Sequence, residues 1–382
     1  METAIVVFTR DLRLHDAADA LEAWRAGRTG IPIVDAGLRQ LMCCSWRYPG
    51  RHGHHGQRHP GRPRRPRWPK LTEHGILSRV TPIQEAAVRA AVTVAARHGI
   101  TAQDPAVLAD GANIVVHLRP APVVAKVAAS TPAVRRDDQD WLQRELDVSA
   151  FLAAGGAPVV PPSPELPATT HRDHHHGHVM SFWRYLPPAD PECPLRPDEE
   201  TIGSMLRDLH AALRRYPETL PTLAPLQDIP AFLARPQTRA SDERKQALAA
   251  AYQRLTAELT AELNEVPAAP QPGEAPAAPQ QVLHGDAGGG NLMATGQGWV
   301  WHDFEDTCSG PVAWDLAAST ASRYQDGPRV LAAYRDPVDR GQLAVCERLR
   351  WLHLTVWYNL YAERLPDLRP CAAELLTLWP AP

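Results

Sequence analysis

A chain of 382 residues, 44% of them hydrophobic and 22% charged, has room for two or three domains and enough apolar material for a sizeable core. No run approaches the ~18–20 apolar residues of a membrane span, and the first residues lack the basic flank and apolar stretch of a secretory signal, so a cytoplasmic protein is expected. Six cysteines without CxxC spacing argue against a disulfide framework or a zinc site. The net charge of −3 conceals a split: residues 1–70 carry 13 Lys+Arg against 6 Asp+Glu, and the rest 27 against 37.

Residues 4–9 (AIVVFT) read as a short buried strand and residues 17–26 as a short helix. Residues 47–70 are Pro, Gly, Arg and His with hardly any aliphatic side chain, too little apolar surface to offset ordering, so disorder is predicted. With eight positive residues and no acidic one, that arm is the one candidate for nucleic acid, which is otherwise not an expected partner. A globular texture begins near residue 71. The pattern predicts a helix over 82–98, strands over 113–119 and 122–128 joined by Pro-Ala-Pro, and a helix over 139–154 closed by Gly155-Gly156. A strand over 179–186 follows, then helices over 199–215 and 242–265. Residues 267–280 read as a Pro/Ala linker, 291–303 as a hairpin, and 343–365 as an aromatic amphipathic helix.

The stretch that carries chemistry is VLHGDAGGGNLMATGQGWVWHDFEDTCSGPVAWDLA, residues 282–317. Two short apolar runs flank the turn Thr295-Gly296-Gln297-Gly298. A hairpin centred on Gln297 places Asn291 opposite Asp303, on strands ~4.8 Å apart. An amide oxygen and a carboxylate converging there could share one hard cation; Mg²⁺ prefers a few such oxygens with water or phosphate filling the rest. Asp286, five residues before Asn291 across a Gly-rich turn, is a third oxygen group, available as a base.

HGDxxxxN followed by an apolar hairpin and DFE resembles the aminoglycoside phosphotransferase and choline kinase-like family, relatives of protein kinases, over about residues 75–375. The resemblance implies an α+β, bilobal protein-kinase-like fold. A small β-rich N-lobe (75–188) would bind nucleotide, and a larger, mostly helical C-lobe (189–382) would hold the catalytic segment and the acceptor. It implies that Asp286 accepts or orients the hydroxyl proton, that Asn291 and Asp303 bind Mg²⁺, and that His284 braces the catalytic loop with help from Asp315. Lys126, in VVAKVA, would contact the α- and β-phosphates, with Glu145 on the following helix holding it. Asp110-Gly111-Ala112-Asn113 stands where kinases carry GxGxxG, so Asn113 is expected at the nucleotide, and one glycine leaves ATP versus GTP open. Met180 and Phe182, in VMSFWRYL, would line the adenine pocket or pack in the core.

The expected activity is transfer of the γ-phosphate of ATP (or GTP) to a hydroxyl of a small molecule such as an aminoglycoside or amino alcohol. The acidic C-lobe, with Glu305 and Asp306 flanking the site, suits a cationic acceptor. A catalytically inactive nucleotide-binding protein is the alternative, and the intact Asp286, Asn291 and Asp303 set argues against it.

Residues 4–16 (AIVVFTRDLRLHD) and 29–41 (TGIPIVDAGLRQL) resemble two separated pieces of DNA photolyase/cryptochrome. Residues 1–46 are too short to enclose a flavin, and the flavin-binding helices have no counterpart. They read as a fragment left by fusion or frameshift, with a photolyase-related flavin- and DNA-binding protein as the lesser alternative.

Overall fold

The structure, a computed structural model, describes residues 81–135, 140–173, 177–189, 194, 196–264, 280–322 and 325–379. The expectations for residues 1–70 and for the linker over 267–279 fall outside the described residues.

Helix α1 (Pro82–Arg97) starts on a capping box: the Thr81 hydroxyl accepts from the Gln84 amide, and the Gln84 side chain accepts from the Thr81 amide at 2.8 Å. Pro82 fits the first turn because its missing N–H would have had no helical partner. The small residues Ala87, Ala90, Ala91 and Ala95 line the buried face and let the helix lie close to a sheet.

That sheet holds β1 (Ala106–Asp110), β2 (Asn113–His117) and β3 (Val123–Ala128), followed in the chain by α2 (Asp140–Ala154), β4 (His171–Arg172) and β5 (Val179–Arg184). The strands lie in the order β1-β2-β3-β5-β4, each pair antiparallel. Strand β3 is buried along its whole length, which is why it reads as an unbroken apolar run around one lysine. Its alternation sorts the two faces. Val123, Ala125 and Val127 join Ile114, Val116, Met180 and Phe182 under α1. Val124 and Lys126 point the other way, beside Val115 and Trp183, and line a cleft.

The second lobe runs through α3 (Glu199–Leu213), α4 (Asp228–Leu233), α5 (Asp242–Asn264), β6 (Gln281–Leu283), β7 (Leu292–Thr295), β8 (Gly298–Trp301) and β9 (Cys308–Gly310). It finishes with α6 (Val312–Thr320), α7 (Gly327–Tyr334), α8 (Arg340–Arg364) and α9 (Arg369–Thr377). Strand β6 pairs with β9 and β7 with β8. Helix α8 differs from expectation. It is not amphipathic: every residue from Leu349 to Ala362 is buried, because α4, α5, α6 and α9 enclose it. A helix sheathed on all sides must find partners for its polar groups. The chain therefore has a protein-kinase-like, bilobal fold, a β-sheet lobe joined to a larger helical one. Among the described residues, no helix is long and apolar enough to cross a membrane.

Candidate active site

Strand β6 delivers the chain to His284-Gly285-Asp286 and is locked to β9, Leu283 facing Cys308. The turn that follows is held from beneath by Asp315 on α6. Its carboxylate accepts from the His284 amide at 2.9 Å and the Gly285 amide at 2.8 Å, and His210 on α3 bonds it at 3.0 Å. Burial alone would raise the Asp315 carboxyl; the His210 hydrogen bond and neighbouring positive charge hold it below its ordinary value. Gly285 has φ +88°, and a Cβ there would lie 1.8 Å from the Asp306 carbonyl oxygen. Only glycine fits.

His284 is fully buried. Its Nε2 donates to the His302 carbonyl at 3.0 Å, and its Nδ1 accepts from the Asp286 amide at 3.3 Å. Burial keeps the imidazole below its ordinary pKa and so neutral, the form this donor–acceptor pair requires. The side chain bonds backbone and does not line the cleft, so its place is that of a brace. The Asp286 carboxylate, in contrast, stays partly exposed: Oδ1 accepts from Arg350 at 2.8 Å and Oδ2 from the Asn291 amide at 3.1 Å.

The hairpin corrects the expected register. Leu292 faces Trp301 and Thr295 faces Gly298, so the turn has two residues, Gly296-Gln297, and is not centred on Gln297. Gly298 at φ +111° and the Thr295 hydroxyl, bonded to the Gly298 carbonyl at 2.8 Å, set this tighter turn. Asn291 consequently meets His302, whose amide donates to the Asn291 carbonyl at 3.1 Å. Asp303 has left the strand at φ +65° and turns its carboxylate to Lys126, 2.5 Å away. A one-residue register shift at the turn moved the predicted pair apart across the strands.

Lys126 gathers carboxylates from both lobes: Glu145 on α2 at 2.8 Å, Asp303 at 2.5 Å and Glu305 at 3.2 Å. Burial would lower the ammonium's pKa, but these three charges raise it above its ordinary value. Burial and its acidic neighbours work to raise the Glu145 carboxyl above its ordinary value, against the pull of the Lys126 ammonium. Asn113 donates to Glu305 at 2.8 Å, and its own Oδ1 is buried without a hydrogen-bond partner. Glu305, expected to flank the site, does so through its bonds to Lys126 and Asn113, and both it and Asp306 are turned inward, each 1% exposed. Asp306 pairs with Arg135 at 2.6 Å, and Arg135 also holds Asp228 on α4 at 2.7 Å.

Asn113, Lys126, Glu145 and Asp303, with apolar Val115, Val124, Val160 and Trp183, line a cleft of about 480 Å³, counting its open mouth. Its mixed polar and apolar lining suits a small-molecule ligand. Met180 is not there. The register pairs it with Val127, which places it under α1, and Trp183 takes the cleft face instead. Sequence reading missed Trp183, Arg135, Asp228 and Arg350. The signal for Arg350 was present in RLRWLHLTVWYNLY, where Arg350, His353 and Trp357 recur on one helical face inside an apolar run. Asn291 keeps its Oδ1 buried and without a hydrogen-bond partner, a hard oxygen of the kind Mg²⁺ takes.

The model of the phosphotransferase enzyme family matches residues 81–352, and that of the FAD-binding domain of DNA photolyase matches residues 5–48. Among solved structures, the microcompartment-associated aminopropanol kinase is 17% identical with a TM-score of 0.53, over 75% of this chain and 94% of its own. Amicoumacin kinase hAmiN, in complex with AMP-PNP, Ca²⁺ and Ami, is 13% identical with a TM-score of 0.52, over 75% and 91%. Choline kinase LicA from Streptococcus pneumoniae is 15% identical with a TM-score of 0.51, over 76% and 99%. No curated protein matches the chain.

Proposed function

The chain belongs to the phosphotransferase enzyme family, and on that footing we propose that it transfers the γ-phosphate of ATP or GTP to a hydroxyl of a small molecule. The observation that carries the reading is the Lys126 ammonium in the lining of the cleft, bonded to Glu145 of one lobe and Asp303 of the other. Two lobes meeting on one cation make a place for a polyphosphate.

Catalysis of this reaction is mainly positioning and charge neutralisation, because the phosphoryl group passes through a loose transition state. Asn291 Oδ1 and Asp303 would hold Mg²⁺, which when bound supplies positive charge against the phosphates. Lys126 neutralises phosphate oxygens, and Glu145 keeps its ammonium aimed. Asn113, the first residue of β2, would border the nucleotide. Asp286 orients the acceptor hydroxyl and takes its proton as the oxygen–phosphorus bond forms and the bond to the β-phosphate oxygen breaks. His284 and Asp315 keep the loop in shape for this.

The acceptor classes to try first are an amino alcohol and choline, named by the similar folds, and an aminoglycoside, expected from the sequence. Each is incubated with the chain, Mg²⁺ and either ATP or GTP, and the acceptor is weighed by mass spectrometry. Gain of one phosphate group on an acceptor, dependent on nucleotide, is the expected result. Nucleotide binding without transfer to any acceptor or to water would favour the inactive nucleotide-binding alternative.

A further inference from the structure

We propose that Arg350 is the positioning residue for Asp286, fixing one carboxylate oxygen so that the other is presented to the acceptor hydroxyl. The inference rests on the phosphotransfer reading above and adds a group that the catalytic motif does not contain.

Arg350 sits in the enclosed part of α8 and is 5% exposed. A guanidinium there is costly unless its donors are met, and here they are. Nη1 donates to Asp286 Oδ1 at 2.8 Å, Nη2 to the Gly285 carbonyl at 2.7 Å and Nε to the Trp314 carbonyl at 3.3 Å. The guanidinium also lies 4.2 Å from the centre of the Trp314 ring, and the Trp314 indole donates to the same Gly285 carbonyl at 2.8 Å. Arginine and tryptophan thus hold the backbone just before Asp286 while a second arm of the fork holds its side chain. A planar fork can do both at once; a lysine's point charge cannot.

The remaining oxygen, Oδ2, is met by the Asn291 amide at 3.1 Å. Between them, Arg350 and Asn291 fix the plane of a carboxylate that is still 17% exposed. Misplacing a reacting group by about 1 Å can cost ~10²-fold in rate, so a residue that only fixes this plane should act strongly on turnover and weakly on nucleotide binding.

The test is a double-mutant cycle on the full chain with Arg350→Gln, Arg350→Lys and Asp286→Asn, measuring kcat and the KM for ATP with the acceptor that responds in the panel. Arg350→Gln should lower kcat by ~10–10²-fold with KM for ATP within about threefold. In the Asp286→Asn background the same substitution should cost less than about threefold more, because its target is already impaired. Arg350→Lys should recover part of the loss. Should the glutamine variant not fold, the lysine variant carries the cycle, and failure of both to fold assigns Arg350 to the core and overturns the proposal. An equal loss in both backgrounds, with Asp286→Asn itself impaired, overturns the positioning role alone. A wild-type chain that transfers no phosphate, or an Asp286→Asn chain at the wild-type rate, overturns the phosphotransfer reading and this assignment with it.

Discussion

Replacing Gly285 with alanine adds a single methyl group, yet the structure predicts a severe effect. The backbone at φ +88° is left-handed, which costs an alanine ~1–2 kcal/mol. The added Cβ would lie 1.8 Å from the Asp306 carbonyl oxygen and 2.3 Å from its carbon, so one segment must retreat by more than an ångström. Neither side is free to do so. Asp315 holds the Gly285 amide at 2.8 Å, and Arg135 holds the Asp306 carboxylate at 2.6 Å. Strain of this kind in a core belongs with the larger single-residue losses, about 3–5 kcal/mol. Whatever survives should carry Asp286 displaced, with turnover down ~10²-fold or more. Urea unfolding gives the first number and the transfer rate the second. Gly296→Ala is the control: a Cβ there meets nothing within 4 Å, and stability should change by less than about 0.5 kcal/mol. A Gly285→Ala chain with wild-type stability and turnover would refute the close approach of the Gly285 and Asp306 segments.

Asn291→Ala and Asp303→Ala should each weaken Mg²⁺-dependent nucleotide binding, Asp303→Ala more because it removes a full charge, and calorimetry on the double variant should show a loss smaller than the sum. Simple additivity would separate the two residues. Asp228 is buried, which alone would raise its carboxyl, but Arg135 and His353 hold it well below its ordinary value of 3.8. The unfolded chain therefore binds the proton more readily, and this contribution to stability is present above about pH 3.8 and lost as pH falls through and below that value. Asp228→Asn should cost about 3–5 kcal/mol at pH 7 and flatten the fall in stability below pH 4; an unchanged acid limb contradicts the ion pair's role. Deleting residues 1–70 should leave melting temperature and transfer rate near those of the full chain, since α1 opens on its own capping box at Thr81; a truncated chain that precipitates or transfers slowly speaks against that boundary.

The helices and strands that the sequence announces are those with a local cause. Residues 139–154 and 179–186 are bounded by glycines or polar turns, and α2 and β5 fall within a residue or two of them. Lys126 and Glu145 were legible because the kinase-like resemblance implies a strand lysine held by a glutamate of the following helix, and the sequence offers one of each there. What stayed hidden depends on contacts far apart in the chain. Arg135, Asp228 and Asp306 are scattered over residues 135–306 and acquire meaning only when α4 and the segment after Asp303 come together. Glu305 and Asp306 illustrate the limit: acidity can be read from sequence, but the direction a carboxylate faces cannot. The hairpin failed for a smaller reason. A turn of two residues and one of three both suit Thr-Gly-Gln-Gly, and that single-residue choice decided what lies opposite Asn291. Met180 could have been placed correctly, since period-2 alternation from Lys126 across the sheet assigns Ser181 and Trp183 to its face.

The most direct measurement follows label from γ-labelled nucleotide to the responding acceptor, comparing the wild-type chain with Asp286→Asn at saturating nucleotide. The account predicts that both proteins bind nucleotide with similar affinity and that the variant transfers label ~10²–10⁴-fold more slowly. Equal rates of transfer in the two proteins would contradict it, because the cleft would then be doing its chemistry without the carboxylate that the loop, the hairpin and α8 combine to hold in place.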